Sequence, residues 1–298
     1  MLFGFTHSGE MLSVACAFVW AIAIIFFKKS GESVSPLGLN FVKNVVGLAF
    51  LVPTVIFLKE TFIVRAPWGD YLLLLASGVI GIGVADTLFF RSLNLIGAGL
   101  SAIVDCLYSP FVIGLSILFL GENMSSLQLV GVLFIISAIL AISLQKNIKS
   151  VSRRNLIRGI LLGVFSMALM AIGIVMVKPL LGRSPLLWVI MVRLFAGCLS
   201  LGVIILFCSD CRKIGASILT AENWRFMLPG SFLGAYLALI LWIAGMKYTQ
   251  ASTASALNQT SSIFVFVLAA IFLKEPINRI RVIGIILAFA GVIMVCFG

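Results

Sequence analysis

The chain is a succession of long apolar runs separated by short polar connections. Ten runs stand out, at 10–28, 37–58, 71–91, 98–120, 127–145, 157–178, 185–208, 225–246, 251–273 and 278–297. Most hold about 20 residues, the length at which a helix rising 1.5 Å per residue crosses a hydrocarbon core of roughly 30 Å. Barrel strands would be about half as long and would alternate apolar with polar residues. The pattern therefore predicts an all-α polytopic membrane protein with ten transmembrane helices.

The runs divide five and five. "QKNIKSVSRRNLIRG" (145–159) is the longest strongly charged stretch, and it sets the halves at 1–148 and 149–298. The halves repeat each other. A shift of 153 lays "FLGENMSSLQLVGV" (119–132) over "FLKEPINRIRVIGI" (272–285) and takes Gly81 to Gly234, Phe89 to Trp242 and Asp105 to Asn258. A shift of 150 lays "VACAFVWAIAIIFFK" (14–28) over "VFSMALMAIGIVMVK" (164–178). "SPLGLNFVK" (35–43) matches "SPLLWVIMVR" (184–193) after one insertion, which pairs Lys43 with Arg193. Five is odd, so the second half enters the membrane in the opposite sense. Inverted repeats of this kind place a substrate site between the halves near the midplane.

Composition agrees with the pattern. The 298 residues are 62% hydrophobic and 10% charged, against about 25% charged in soluble domains. The net charge of +11 calls for no nucleic acid, because the basic residues cluster in the connections. Apart from Lys43 and Arg193, the connections after odd-numbered runs hold fourteen Lys and Arg and those after even-numbered runs hold five. The positive-inside rule then puts both termini outside. The N-terminal "MLFGFTHSGEM" has no charged leader and no cleavage-like site, so the first run is expected to be retained. "FCSDC" brings Cys208 and Cys211 together, but there is no second pair, and the only histidine is His7. That leaves no metal or cofactor motif, and the two cysteines read as small residues at a helix end.

Ionisable groups inside a membrane helix are costly, and they face a cavity or one another. Four occur here: Lys43, Asp86, Asp105 and Arg193. Ser101, Asp105 and Tyr108 share one helix face by spacing, and Asn258 and Ser261, with Gln259 beside them, form the equivalent patch in the second half. The spacing predicts that the fourth and ninth helices face each other across a central cavity. If transport is coupled to protons, Asp105 is the candidate carrier. Lys43 and Arg193 are expected to pair with Asp86 or Asp105, to snorkel, or to hold an anionic substrate group. Trp20, Tyr236 and Trp242 are candidate aromatic contacts. Pro110 removes a backbone donor in mid-helix and predicts a kink that its equivalent Ile263 would lack.

The paired basic positions, "SAIVDCLYSPFVIGLSILFLGE", "ASALNQTSSIFVFVLAAIFLKE" and the helix ends at Glu122 and Glu275 resemble the drug/metabolite transporter superfamily, in its ten-helix form with two EamA domains. The resemblance spans nearly the whole chain. It implies a permease in the bacterial inner membrane that moves small metabolites, often amino acids and more often outward. Residues and resemblance together lead to a secondary transporter, working as a monomer in the bilayer by alternating access on an amino acid or a related zwitterionic or cationic solute. A facilitator or exchanger of a nucleotide-linked or phosphorylated solute is the alternative. A membrane-embedded enzyme is remoter, because the short connections offer no nucleophile or metal cluster.

Overall fold

A computed structural model describes residues 8–120, 125–143, 152–219, 221–277 and 279–297. His7 and Glu122 lie outside that set. Among the described residues every regular element is helical, and there is no strand. The first half comprises α1 (Ser8–Ser30), α2 (Pro36–Phe57), α3 (Trp68–Ser77), α4 (Asp86–Ile96), α5 (Ala98–Asp105), α6 (Tyr108–Leu120) and α7 (Ser126–Ser143). The second comprises α8 (Arg153–Leu181), α9 (Leu186–Phe207), α10 (Cys211–Leu219), α11 (Ala221–Ser231), α12 (Leu239–Tyr248), α13 (Ala251–Asn258), α14 (Ser261–Phe272) and α15 (Arg279–Phe297). Among the described residues seven helical runs are long and apolar enough to cross a membrane: Ser8–Ser30, Pro36–Phe57, Trp68–Ile96, Ala98–Phe119, Arg153–Leu181, Leu186–Phe207 and Trp224–Tyr248. The remaining apolar segments fall on α7, on α13 with α14, and on α15.

Local sequence sets the boundaries. Ser35 accepts a hydrogen bond from the Gly38 N–H at 3.1 Å, and Pro36 opens α2 with its φ already helical. Gly97 joins α4 to α5 at φ +82, a conformation that side chains rarely adopt. A Cβ there would also press on the Glu275 carboxylate.

The halves interlock by a self-matching set of contacts. The equivalents α2 and α9 pack together, as do α7 and α15, while α5 lies on α14 and α6 on α13. The contact of α4 with α8 has its counterpart in α1 with α12. Equivalent segments run antiparallel. Glu275, just beyond α14, caps the start of α5 through the N–H groups of Ala98 (2.7 Å) and Gly99 (3.1 Å). Gly9 at the start of α1 abuts Thr249 beyond α12, and Gly159 near the start of α8 abuts Ile96 at the end of α4. Two lysines fasten the same corners. Lys28 donates to the Asn94 carbonyl at 3.4 Å, and its equivalent Lys178 donates to the carbonyls of Met246 and, at 2.8 Å, Thr249.

Two irregularities occur twice, at matching places. Gly78–Ala85 between α3 and α4, and Phe232–Ala238 between α11 and α12, are π-helical, a geometry frequent at functional sites. A wider turn leaves carbonyls in need of donors. Ser166 donates to the Ala85 carbonyl at 2.7 Å, and its equivalent Cys16 donates to the Ala238 carbonyl at 3.3 Å. In the first half Asn40 also donates to the carbonyls of Ile82 (2.8 Å) and Gly83 (3.0 Å). The second irregularity is a break at 106–107 between α5 and α6 and at 259–260 between α13 and α14. Here the backbone tightens to three-residue bonds, such as Leu107 N–H to Val104 and Thr260 N–H to Leu257.

This corrects the expectation for Pro110. It sits in the first turn of α6, just after the break, and the second half breaks equally with Ile263 at the matching place. The interruption belongs to both repeats, and the proline only occupies one copy of it.

Candidate functional site

A cavity of about 150 Å³ lies between the halves. A water molecule needs roughly 10–15 Å³ on the same measure, so the space holds on the order of ten waters or a solute of similar size. Its walls are largely equivalent pairs: Trp20 with Met170, Lys43 with Arg193, Asn44 with Leu194, Gly81 with Gly234, Asp86 with Leu239, Phe89 with Trp242, Asp105 with Asn258, and Tyr108 with Ser261. The cavity therefore sits where the repeats meet, at the π-helical segments and the helix breaks. Charge is distributed unequally over the pairs. Both acids come from the first half, and their equivalents are a leucine and an amide.

Lys43 and Asp86 form a buried ion pair, with the ammonium also lying 5.5 Å from the centre of the Phe90 ring. Lys43 is 4% exposed and so does not snorkel to the interface. Arg193 is 5% exposed, forms no ion pair with a described residue, and has an Nε without a hydrogen-bond partner. Of the three alternatives for the basic residues, direct pairing describes Lys43, and Arg193, buried as well, interacts with the same Asp86 without bonding it. The π-helical segment crosses α9 so closely that a Cβ on Gly78 would strike the Arg193 carbonyl, which fixes the backbone beneath the guanidinium. Asp105 ends α5 at the break. Its carboxylate makes no hydrogen bond or ion pair with a described residue, while its carbonyl accepts from Gln259 Nε2 at 2.5 Å. Arg193 interacts with Asp86 through space without bonding it, so the cavity contains a guanidinium, Arg193, and a carboxyl group, Asp105, neither of which has a direct ion pair with a described residue.

Aromatic walls flank these charges. Trp242 meets Tyr108 edge-on at 5.7 Å, and Trp20 packs 6.1 Å from Phe89. Asn258 reaches the lining with its carbonyl oxygen unpartnered, next to Gln259 and Ser261.

The fourth and ninth apolar runs do not face each other across the cavity. They are in direct contact, joined by the Gln259 bond, by Cys106 Sγ donating to Ser262 Oγ (3.5 Å) and by Ser109 Oγ against Ser255 Oγ (3.4 Å). Small polar side chains permit that close approach, and the two helices together form one wall. Three other candidates lie off the cavity. Ser101, one turn before Asp105, is packed in the bundle with its hydroxyl unpartnered. Tyr236 shares a hydroxyl contact of 2.8 Å with Thr54 and packs on Phe50 and Phe232. Pro110 does not reach the lining. Asn44, Cys16, Met167 and Met170 line the cavity without having been singled out. For Asn44 the signal was present, an amide pair at positions 40 and 44 in an otherwise apolar run.

Interlocked antiparallel repeats around a shared polar cavity define a membrane transporter of the inverted-repeat class. The comparisons are specific. The model of the EamA-like transporter family matches residues 7–144 and again 157–297, and the chain belongs to that family. It is 24% identical over 284 residues to an uncharacterized transporter of Archaeoglobus fulgidus, covering 95% of this chain and 96% of that one. Over 93 residues it is 30% identical to the uncharacterized transporter YetK of Bacillus subtilis, which is 31% of this chain and 28% of that one. A solved crystal structure shares the fold with a TM-score of 0.72 at 16% identity, over 96% of each chain.

Proposed function

We propose that this transporter carries a small zwitterionic solute of the amino acid class, with Arg193 holding the carboxylate and Asp105 the ammonium. The observation that supports this reading is that the Arg193 guanidinium and the Asp105 carboxyl reach one small cavity without a direct ion pair to a described residue, Asp86 being bonded to Lys43 and meeting Arg193 only through space. A buried charge needs a partner, and a zwitterion supplies both partners at once. Trp20, Trp242 and Tyr108 then pack on the solute body, and Asn258 and Gln259 bond its polar groups. A multiply phosphorylated solute fits less well, because the Lys43 charge is already committed to Asp86.

The mechanism is alternating access in the inner membrane. The repeats interlock through equivalent contacts, so exchanging their conformations opens the same cavity to the other side. Asp105 binds either the solute ammonium or a proton, and that competition couples export of the solute to proton entry. Proteoliposomes containing only this chain test the reading. A pH gradient, acidic on the side that receives the solute, drives uphill movement of an unmodified amino acid. Absence of flux across a full amino acid panel, with folded protein, overturns it.

A further inference from the structure

Behind the π-helical segment lies a second cavity of about 630 Å³, between the start of α2, the first half of α4, the end of α9 and the short helix α10. It is separate from the solute cavity. Ile82 and Asp86 face the solute, whereas Thr87, Leu88 and Arg91 face the groove, and the Asn40 amide ties the intervening backbone together.

The groove is amphipathic: Leu88, Leu201 and Ile204 belong to its apolar lining, and Arg91, Lys213, Asp210 and the Ser33 and Ser217 hydroxyls to its polar lining. Arg91 is exposed and forms no ion pair with a described residue. Lys213 bonds Asp210, which also lines the groove, at 2.8 Å; unlike the buried Lys43–Asp86 pair, this one is solvent-exposed, so the bond is weak and the ammonium is available to a phosphate. Arg212 beside it adds another exposed cation. Helix α10 has the character of an interfacial helix. It buries Ile214, and it rests Ile214 and Ile218 on Gly38, where an added Cβ would lie 3.1 and 3.3 Å from them. The connection at the matching place in the first half, 58–67, has no such helix.

We propose that this groove is a binding site for one anionic phospholipid, with the phosphate on Arg91 and Lys213 and the acyl chains along Leu88, Leu201 and Ile204. Basic pockets between transmembrane helices recognise anionic headgroups in this way. Snorkelling bases above an apolar channel match both parts of a lipid, whereas a free anion would leave the apolar part unfilled.

Native mass spectrometry of the full chain released from detergent tests the site, with phosphatidylglycerol and phosphatidylcholine titrated at equal concentration. The expected result is one retained phosphatidylglycerol, at least fivefold preferred. In the Arg91→Gln/Lys213→Gln variant the preference falls to about onefold. Ile204→Trp fills the apolar part and lowers retention with both bases intact. Lys59→Gln, an exposed base elsewhere, changes nothing. Retained preference in the double variant, unchanged retention in Ile204→Trp, equal loss in Lys59→Gln, or displacement by inorganic phosphate at the lipid's concentration would each overturn the proposal.

Discussion

Lys43 and Arg193 occupy the same place in the two repeats, yet Lys43 bonds Asp86 directly, whereas Arg193 meets that carboxylate only through space and has no direct ion pair with a described residue. One is a structural cation and the other is an open one. Removing them should therefore have opposite consequences. Lys43→Met leaves Asp86 uncompensated, at a cost of about 3–5 kcal/mol, and the protein should melt early. Adding Asp86→Leu, the residue that the second repeat carries, should restore most of that loss. Arg193→Gln should fold with a melting temperature at or above wild type and should bind solute at least tenfold more weakly. Thermal unfolding with and without solute separates the two cases.

Asp105→Asn makes the break of the first repeat resemble that of the second. The account predicts that this variant loses dependence of flux on the pH gradient, because the group that exchanges a proton for the ammonium is gone. Flux in proteoliposomes at a fixed solute gradient, with and without a pH difference, checks this. Unchanged gradient dependence would remove Asp105 from the coupling step.

Tyr236 and Trp242 lie six residues apart, and both were candidates for solute contact. Trp242 lines the cavity, while Tyr236 contacts Thr54 and Phe50. Trp242→Ala should weaken solute binding roughly tenfold, in keeping with about 1.4 kcal/mol per decade of affinity. Tyr236→Phe should leave binding unchanged. Isothermal titration of both variants distinguishes the two positions.

Glu275 is a scaffold residue in this structure. Its carboxylate holds two N–H groups at the start of α5 and lies 3.6 Å from Arg281. Glu275→Ala should cost about 1 kcal/mol or somewhat more, read as a lower melting temperature with solute affinity retained. A large loss of affinity without loss of stability would move Glu275 into the transport machinery.

Much of this was legible in the sequence, for identifiable reasons. Long apolar runs are unambiguous, and matched rare residues such as Gly81 with Gly234 revealed the repeat. Isolated charges marked the cavity because apolar surroundings leave them nowhere else to go. Rotation about each helix axis was harder to read. In a soluble helix the polar face shows which side is buried. In a membrane the lipid face and the packing face are both apolar, so Ser101 and Tyr236 could not be placed from spacing. Tyr236 also falls within a π-helical segment, where the wider turn upsets the 3.6-residue face on which spacing arguments depend. That Asp86 bonds Lys43 directly and meets Arg193 only through space depends on how α2, α4 and α9 cross, which one-dimensional pattern does not contain.

The central claim is that Arg193 and Asp105 together read a zwitterion. The most direct measurement is ligand-induced thermal stabilisation of the purified chain by an amino acid that it transports, by the amine lacking only the carboxylate, and by the acid lacking only the ammonium. The account predicts that wild type responds to the amino acid alone, that Arg193→Gln loses its preference for the amino acid over the amine, and that Asp105→Asn loses its preference over the acid. Equal stabilisation of wild type by the amine and the amino acid would contradict it.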